Sequence, residues 1–571
     1  MTSSPGKVVV RFAAERREPS TGPLTWGQRF MWDVHTSLAP RDEHLNLTLV
    51  VPVPAGLSVH DVAGVLATLI GRHASLRTQY VAGDDLEPYQ IEVGNGELEL
   101  QVSQIRTDPE HSSAELASLL AGRSFDLAKE LPVRAGICVE DDEPRVVVLA
   151  FSHIVADVWG GQILHSDLEK LLSGGDLGAP PEHRPIEQAA FENSAQGRRI
   201  EAESLAHWRS RLRQFPRTMF AINPRAPAVP RYWRGMLTSP ALAWGIFALM
   251  RRYRVSANSV ILAALSLYIG YLMRIDRCTL NVQVSNRIGR GRSRSVDTLF
   301  QEVPVVFDID QSSLERTARA VQDEVIRATR YARCSPAKVR KLHDDVDAER
   351  GTRTTIDTMI NTHRLQTATP PSIPESTQEL CAVLTELRAE TEFSWIQKRE
   401  VEGVKLLVIS ALPFADQISM LADTAYLAPD HVRALLLGIE QLIIQIATTG
   451  DEPSAALHES GLVPYHRGPE WRKLGESWTN MEATAAMIAD RAGLGREAVH
   501  LVVGDELIAY IAGYLPQHEF SRLPRECFAA LAQDETVALP ERFVLLEKFP
   551  PPVLGADEWR RQPALAMATW R

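Results

Sequence analysis

A histidine and an aspartate stand four residues apart in the run Phe151-Ser152-His153-Ile154-Val155-Ala156-Asp157-Val158-Trp159, directly after an apolar stretch ending in Ala150. An imidazole titrates near neutrality, so it can accept a proton from an attacking nucleophile or hold that nucleophile in line. A carboxylate at this spacing can balance a cation, orient the ring or cap a helix, so the same pair also fits a purely structural role. The five cysteines, Cys138, Cys278, Cys334, Cys381 and Cys527, lie far apart, with no C-x-x-C pair. No histidines join them at zinc-ligand spacing, so a metal site is not expected and the thiols are expected to be buried in a reducing cytoplasm.

The elements around this run must place it. The segment VVVLAFS reads as a buried strand, and HIVADVWGGQILHSDLEKLL has the apolar spacing of a turn leading into a helix. The histidine therefore falls at the C-terminal end of a strand, where sites commonly form. Upstream, KVVVRF and LNLTLVVPV predict strands, and LTWGQRFMWDVH predicts a helix with Trp26, Phe30 and Trp32 available for burial. HDVAGVLATLIGRHA and SSAELASLLAGR read as helices; SLRTQYV, LELQVSQI and VRAGICVE read as strands, the last paired with RVVVLAFSH around a hairpin-like DDEP. This is mixed α/β order.

The Gly- and Pro-rich stretch at 173–186 predicts a linker, after which IEAESLAHWRSRL and SANSVILAALSLYIGYLMRI predict helices. TLNVQVSN and EVPVVFDID supply strands for a second round of alternation. Composition turns loop-like again after the helical AYLAPDHVRALLLGIEQLIIQIATTG, and about a hundred residues follow with strands of their own in HLVVG, ELIAYIAGY and RFVLLE. The expected division is 1–180, 181–455 and 465–571.

With 571 residues, 45% hydrophobic and 23% charged, the chain has the balance of a globular protein with several compact units. A net charge of −11 without a long basic block disfavours nucleic acid as a partner. The start lacks the apolar region of a signal peptide and no run of about 18 apolar residues is evident, so a cytoplasmic monomer without a membrane segment is expected.

Four segments, taken in order, resemble motifs of the condensation-domain superfamily of nonribosomal peptide synthesis, in its free-standing actinobacterial form. LTWGQRFMW (24–32) is similar to the opening motif and GRHASLRTQY (71–80) to RHxxLRT. FDLAKELPVR (125–134) is similar to the FDL segment, and the run around His153 to HHxxxDG. VSNRIGR (284–290), IDTMINTHR (356–364) and LADTAYLAPDHV (421–432) resemble pieces of the second half, so the likeness spans roughly 7–450.

The resemblance implies an α/β fold of two chloramphenicol-acetyltransferase-like lobes in a V, with a small α+β C-terminal domain. It implies a tunnel with the His-bearing loop at its centre. The expected reaction is transfer of an acyl or aminoacyl group from a carrier-protein thioester to an amine or hydroxyl nucleophile. Peptidyl or acyl carrier proteins are the implied partners, with a small-molecule acceptor as an alternative. The chain itself is expected to bind no cofactor, since phosphopantetheine comes on the partner. His153 is the implied catalytic group. Asp157, paired with Arg287, and Ser152 are implied supports of the site, and Val158, Trp159 and Asn361 line the implied tunnel.

Two positions depart from the family pattern. Ser152 stands where the first His usually is, and Val158 replaces a Gly, which predicts backbone strain and a narrowed acceptor channel. His73, Arg72 and Arg77 read as fold-holding groups, Trp159 as a core residue, and the basic run at 289–294 as a solvated loop or a dock for an acidic carrier. The tail resembles the small subdomain of adenylating enzymes. Gly555 matches that subdomain's closing glycine, but Ala556 falls where its catalytic Lys belongs. Two other readings remain open: an inactive, recruitment-type relative, and an acyltransferase using free coenzyme A thioesters.

Overall fold

The computed structural model describes residues 8–15, 18–84, 87–106, 108–181, 183–288, 291–362, 372–400, 403–411, 416–549 and 556–570. The chain divides into two compact units, and the division does not follow the order of the sequence. One unit takes Met1–Ser204 together with Val284–Glu302 and Tyr331–Lys338; the other takes Leu205–Gln283, Val303–Arg330 and Val339–Arg571.

In the first unit a five-stranded sheet runs in the order Val8–Ala13, Asn95–Gln104, Val133–Glu140, Glu143–Phe151, Leu47–Pro52. Val133–Glu140 and Glu143–Phe151 lie inside it and are buried almost throughout, which is why they read as continuous apolar runs rather than alternating ones. Their turn, Asp141-Asp142, has two positive φ angles, 50° and 63°, the geometry a two-residue hairpin needs. Helices Val59–Arg72 and Val158–Leu172 bury Leu66, Leu69, Leu164 and Leu168 with Ile137, Leu149 and Phe151 on one face. Helix Pro109–Ala121 packs Leu116 and Leu120 against Cys138 and Val148 on the other.

Helix Trp26–Leu38 carries a capping box between Thr25 and Gln28. Its fully buried stripe is Gly27, Gln28, Met31 and His35, whereas Trp26, Phe30 and Trp32 are only half-buried. The inward face is therefore more polar than the aromatic spacing suggests.

The second unit holds a seven-stranded sheet, Gln301–Asp308, Arg277–Val284, Thr358–Thr362, Leu406–Ser410, Gln417–Asp423, Tyr232–Thr238, Glu392–Arg399. Helix Ala257–Met273 is buried along nearly its whole length. Helix Pro429–Thr449 is long and apolar enough to cross a membrane by length and composition, and 56% of its most apolar 18-residue window is buried in the fold. Its Glu440, 1% exposed, accepts hydrogen bonds from Ser239 Oγ and Thr391 Oγ1, both at 2.6 Å, as a core helix of a folded unit does.

The C-terminal residues form a four-stranded sheet, Val499–Val503, Leu507–Ala512, Arg542–Leu546, Ala566–Thr569, with its own core around Ile488, Ile511, Phe520 and Phe543. Residues 550–555 lie outside the described residues, so Gly555 does too; Ala556 begins the short helix Ala556–Arg560. Cys381 corrects the expectation of buried thiols. It is exposed, because helix Thr377–Arg388 turns Leu380 and Leu384 inward, while the other four cysteines are buried.

Candidate active site

Strand Glu143–Phe151 ends at Phe151, and the chain then bends through Ser152 and His153 before helix Val158–Leu172 begins. Asp157 is the N-cap of that helix, accepting from Gly160 N at 2.8 Å. The same oxygen, Oδ1, accepts from Arg287 Nη2 at 2.6 Å, and Oδ2 accepts from Leu299 N at 3.2 Å. Cap and clamp are one carboxylate. Arg287 in turn donates to the carbonyls of Arg292 at 3.0 Å, Ser295 at 2.6 Å and Asp297 at 3.0 Å. The guanidinium fork thus folds segment Val284–Glu302 around itself and ties it to the histidine loop.

Two glycines let that segment come close. A Cβ on Gly27 would stand 1.9 Å from the carbonyl oxygen of Thr298, and one on Gly160 would meet Asp297 O at 3.2 Å and Ala156 Cβ at 3.0 Å. The close approach of backbone to helix therefore falls at Gly160, not at position 158. Val158 is the first residue of the helix and is not among the residues with positive φ. The expected backbone strain at Val158 is thereby corrected: an ordinary helical conformation is open to any β-branched residue.

His153 is half-buried. Its backbone carbonyl accepts from Thr298 Oγ1 at 2.5 Å, and its ring lies 5.4 Å from that of Phe300, tilted by 50°. Nδ1 is buried with no hydrogen-bond partner among the described residues. Burial pushes the imidazole below its ordinary pKa, while nearby backbone and the Asp157 carboxylate pull the other way and His35 adds to the lowering. The ring is thus neutral at physiological pH, as a proton acceptor or positioning group requires.

Asp297 sits behind this loop, fully buried. Its Oδ1 accepts from Thr298 N at 2.8 Å and Oδ2 has no partner among the described residues. Burial raises its pKa to about 7, against the pull of Arg287 and the Thr298 amide, with Asp157 adding to the rise. Glu192, which accepts from Trp26 N and Gln188 Nε2, both at 2.7 Å, is pushed up by burial to about 8.

Ser152, His153, Asp157, Val158, Trp159 and Arg287 all belong to the first unit; Asn361 belongs to the second, half-buried on strand Thr358–Thr362 and paired with Ile409. Trp159 is half-buried rather than core, because its indole donates to Ser293 O at 3.0 Å at the surface side of the segment. Arg72 donates to three consecutive carbonyls, at 177–179, His73 bonds Asp167 at 2.9 Å and Arg77 pairs with Glu92 at 2.9 Å, so these cations hold the fold. In the basic run, Arg292 is tied to Gln188 at 3.0 Å and lies over the Phe191 ring, whereas Arg294 is exposed. Residues 289 and 290 of that run, and 363–364 of the second-half motif, lie outside the described residues.

Sequence reasoning missed Asp297, Thr298 and Phe300, which enter from the middle of the chain, and His35, which lies on helix Trp26–Leu38. Gln28 and His35, polar residues one heptad apart on either side of Met31, were the available signal for a polar inward stripe.

The chain belongs to the condensation domain family, whose model matches residues 20–393. The family generally transfers acyl or peptidyl groups and usually forms amide bonds in nonribosomal peptide synthesis, working with carrier protein domains. Among curated proteins, the chain is 27% identical over 271 residues, 45% of its length, to the probable non-canonical nonribosomal peptide synthetase CymA of Salinispora arenicola. It is 30% identical over 232 residues, 38% of its length, to the phosphinothricin tripeptide synthetase PhsB of Streptomyces viridochromogenes. These matches span only 3% and 19% of the two relatives. Among solved structures, the condensation domain of the monacolin K polyketide synthase MokA superposes with a TM-score of 0.60 at 17% identity, covering 76% of this chain and 98% of that one. The X-domain in complex with OxyB from teicoplanin biosynthesis gives 0.56 at 16%, covering 80% and 98%. The fold is accordingly the two-lobed, chloramphenicol-acetyltransferase-like α/β fold of condensation domains.

Proposed function

We propose that this chain is a free-standing condensation enzyme. It transfers an acyl or aminoacyl group from a carrier-protein thioester to an amine or hydroxyl, and His153 is the group that meets the nucleophile. The observation that carries this reading is the state of the imidazole: half-buried, held neutral by burial, on a loop clamped by Asp157 and Arg287. A neutral ring can take the proton that the attacking amine loses as the carbonyl carbon is attacked, or hold the amine in line. The phosphopantetheine arm of a carrier supplies the thioester; Asp157 and Arg287 act on the loop and do not touch substrate. Residues 1–180 and 181–455 are read as the two lobes, with Val284–Glu302 and Tyr331–Lys338 contributed to the first unit, and 465–571 as a small α+β domain with a structural or docking role.

Intact-protein mass spectrometry of loaded donor and acceptor carriers mixed with the chain tests the reading. Mass moving from donor to acceptor supports it. Transfer from a free coenzyme A thioester without a donor carrier favours the small-molecule acyltransferase reading instead. Binding of loaded carriers with no transfer favours a recruitment role. Ordinary helical geometry at Val158 removes the strain argument for that last alternative.

A further inference from the structure

Helix Trp26–Leu38 brings His35, 7% exposed, against the residue that precedes His153. His35 Nε2 lies 3.2 Å from Ser152 Oγ, and Nδ1 lies 2.6 Å from Asp42 Oδ2. Asp42 Oδ1 accepts in turn from Ser124 Oγ. Although burial opposes it, the hydrogen bonds from His35 and Ser124 hold the Asp42 carboxyl below its ordinary pKa, so Asp42 is an acceptor only. Nδ1 of His35 must then carry a proton, and in the neutral tautomer this makes Nε2 the acceptor for the Ser152 hydroxyl.

The order Asp, His, Ser and this tautomer are those of an acyl-transfer triad. Here, however, Ser152 is fully buried and cannot reach a carbonyl carbon from outside. What the chain of bonds can do is fix residue 152. Its backbone N–H donates to Pro132 O at 3.1 Å, its carbonyl accepts from Val155 N at 2.9 Å, and its hydroxyl is held by His35. His153 follows directly, with its own carbonyl held by Thr298. The imidazole is thereby suspended between two anchors. One is the Arg287 clamp; the other is the Asp42–His35–Ser152 chain.

We propose that Asp42, His35 and Ser152 form a positioning relay for His153, a role that rests on the acyl-transfer reading above and assigns two residues, His35 and Asp42, to that site. Ser152→Ala removes the last bond of the relay. Asp42→Asn, of the same shape, weakens the relay at its base, because a neutral amide replaces the charged acceptor of the His35 Nδ1–H. Both variants lower kcat for transfer about tenfold with KM for the acceptor little changed, and neither lowers the rate further when His153→Ala is already present. Ser152→Thr, which keeps the hydroxyl, restores the rate.

A second readout needs no turnover. The titratable groups acting most directly on the His153 ring are Asp157 and His35. An NMR pH titration of the His153 ring protons is expected to shift its midpoint in Ser152→Ala and Asp42→Asn, with amide shifts elsewhere in the unit unchanged. Midpoints identical to wild type in both variants overturn the relay. Shifted midpoints in a protein that transfers nothing uphold the relay and reject the acyl-transfer reading. An acyl adduct on Ser152 in the intact mass overturns the positioning role in favour of a nucleophile. Should Ser152→Ala fail to fold, Asp42→Asn and Ser152→Thr decide the matter by the same two readouts.

Discussion

Each unit buries a cluster of two carboxylates and one cation. In the first, Arg287 serves Asp157 and the backbone of Asp297; in the second, Lys405 serves Asp357 and Glu535. In the second cluster both oxygens of Asp357 are fully partnered. Asp357 Oδ2 accepts from Thr218 Oγ1 at 2.7 Å and Met219 N at 2.9 Å; Oδ1 accepts from Thr355 Oγ1 at 2.9 Å and from Lys405. The Lys405 ammonium also lies over the Tyr426 ring. In the first cluster Asp297 Oδ2, Arg287 Nε and, on the adjoining loop, His153 Nδ1 have no partners among the described residues. Buried charge alone therefore does not mark a site. The second cluster ties Glu535 to Asp357 and Lys405, which directly precede strands Thr358–Thr362 and Leu406–Ser410. The first lies beside a half-buried imidazole, the setting in which unsatisfied polar atoms fit a chemical use.

The largest expected effect separates the imidazole from its scaffold. His153→Ala slows acyl transfer by about 10²–10⁴-fold with only a modest fall in the thermal midpoint, because the half-buried ring packs against Phe300 alone among the described aromatic rings. Rates from intact mass spectrometry decide it, and an unchanged rate would erase the contrast between the two clusters.

Next in size is the pair Arg287→Met and Lys405→Met. Each leaves carboxylates buried without their cation, at about 3–5 kcal/mol of unfolding free energy. Urea denaturation should find similar losses in both. Transfer measured well below the transition should fall only for Arg287→Met. Equal loss of rate in the two would show that the second cluster also supports the site.

A third test uses pH. The Asp297 carboxyl is raised to about 7 in the folded protein. It therefore favours the folded state fully below about pH 4, its ordinary range, and that contribution is lost as pH climbs through 7. Asp297→Asn keeps a neutral group of the same shape. Its stability relative to wild type should rise between pH 5 and 7, by up to about 1.4 kcal/mol per pH unit, and level off above. Urea midpoints across that range check the slope; parallel curves would mean that Asp297 is ionised and paired in the folded state.

How far the sequence revealed this site follows from where its parts lie. The strand, loop and helix from Glu143 to Leu172 are contiguous, and their apolar spacing places His153 and Asp157 without further help. Arg287 was reachable only through the motif resemblance. Nothing in local periodicity says that Val284–Glu302 leaves its own half to join the first unit, because crossing between units is decided by long-range packing. The segment 297–305 reads simply as the approach to a strand, so Asp297, Thr298 and Phe300 stayed silent. Gly27 and Gly160 were visible as residues, but their purpose, admitting the 297–298 backbone, exists only in three dimensions.

Position 158 sharpens the comparison with the smallest effect, and here the structure bears on only one part of the expectation from sequence, the backbone strain. If Val158 narrowed the acceptor channel, Val158→Gly would widen it and speed transfer to a carrier-bound acceptor. The residue opens helix Val158–Leu172 with no positive φ, next to the Asp157 cap. Glycine there adds backbone freedom in the unfolded chain and in the first helical turn, costing about 0.5–1 kcal/mol. The looser turn carries the carboxylate that Arg287 grips, so the clamp weakens slightly and the imidazole with it. Val158→Gly should therefore be a little less stable and no faster than wild type, in urea midpoint and in acyl-transfer rate. A variant that is slower to unfold, or that transfers severalfold faster, would show that side-chain bulk at 158 obstructs the acceptor after all. The unsatisfied atoms around His153 would then describe a partly closed site rather than a poised one.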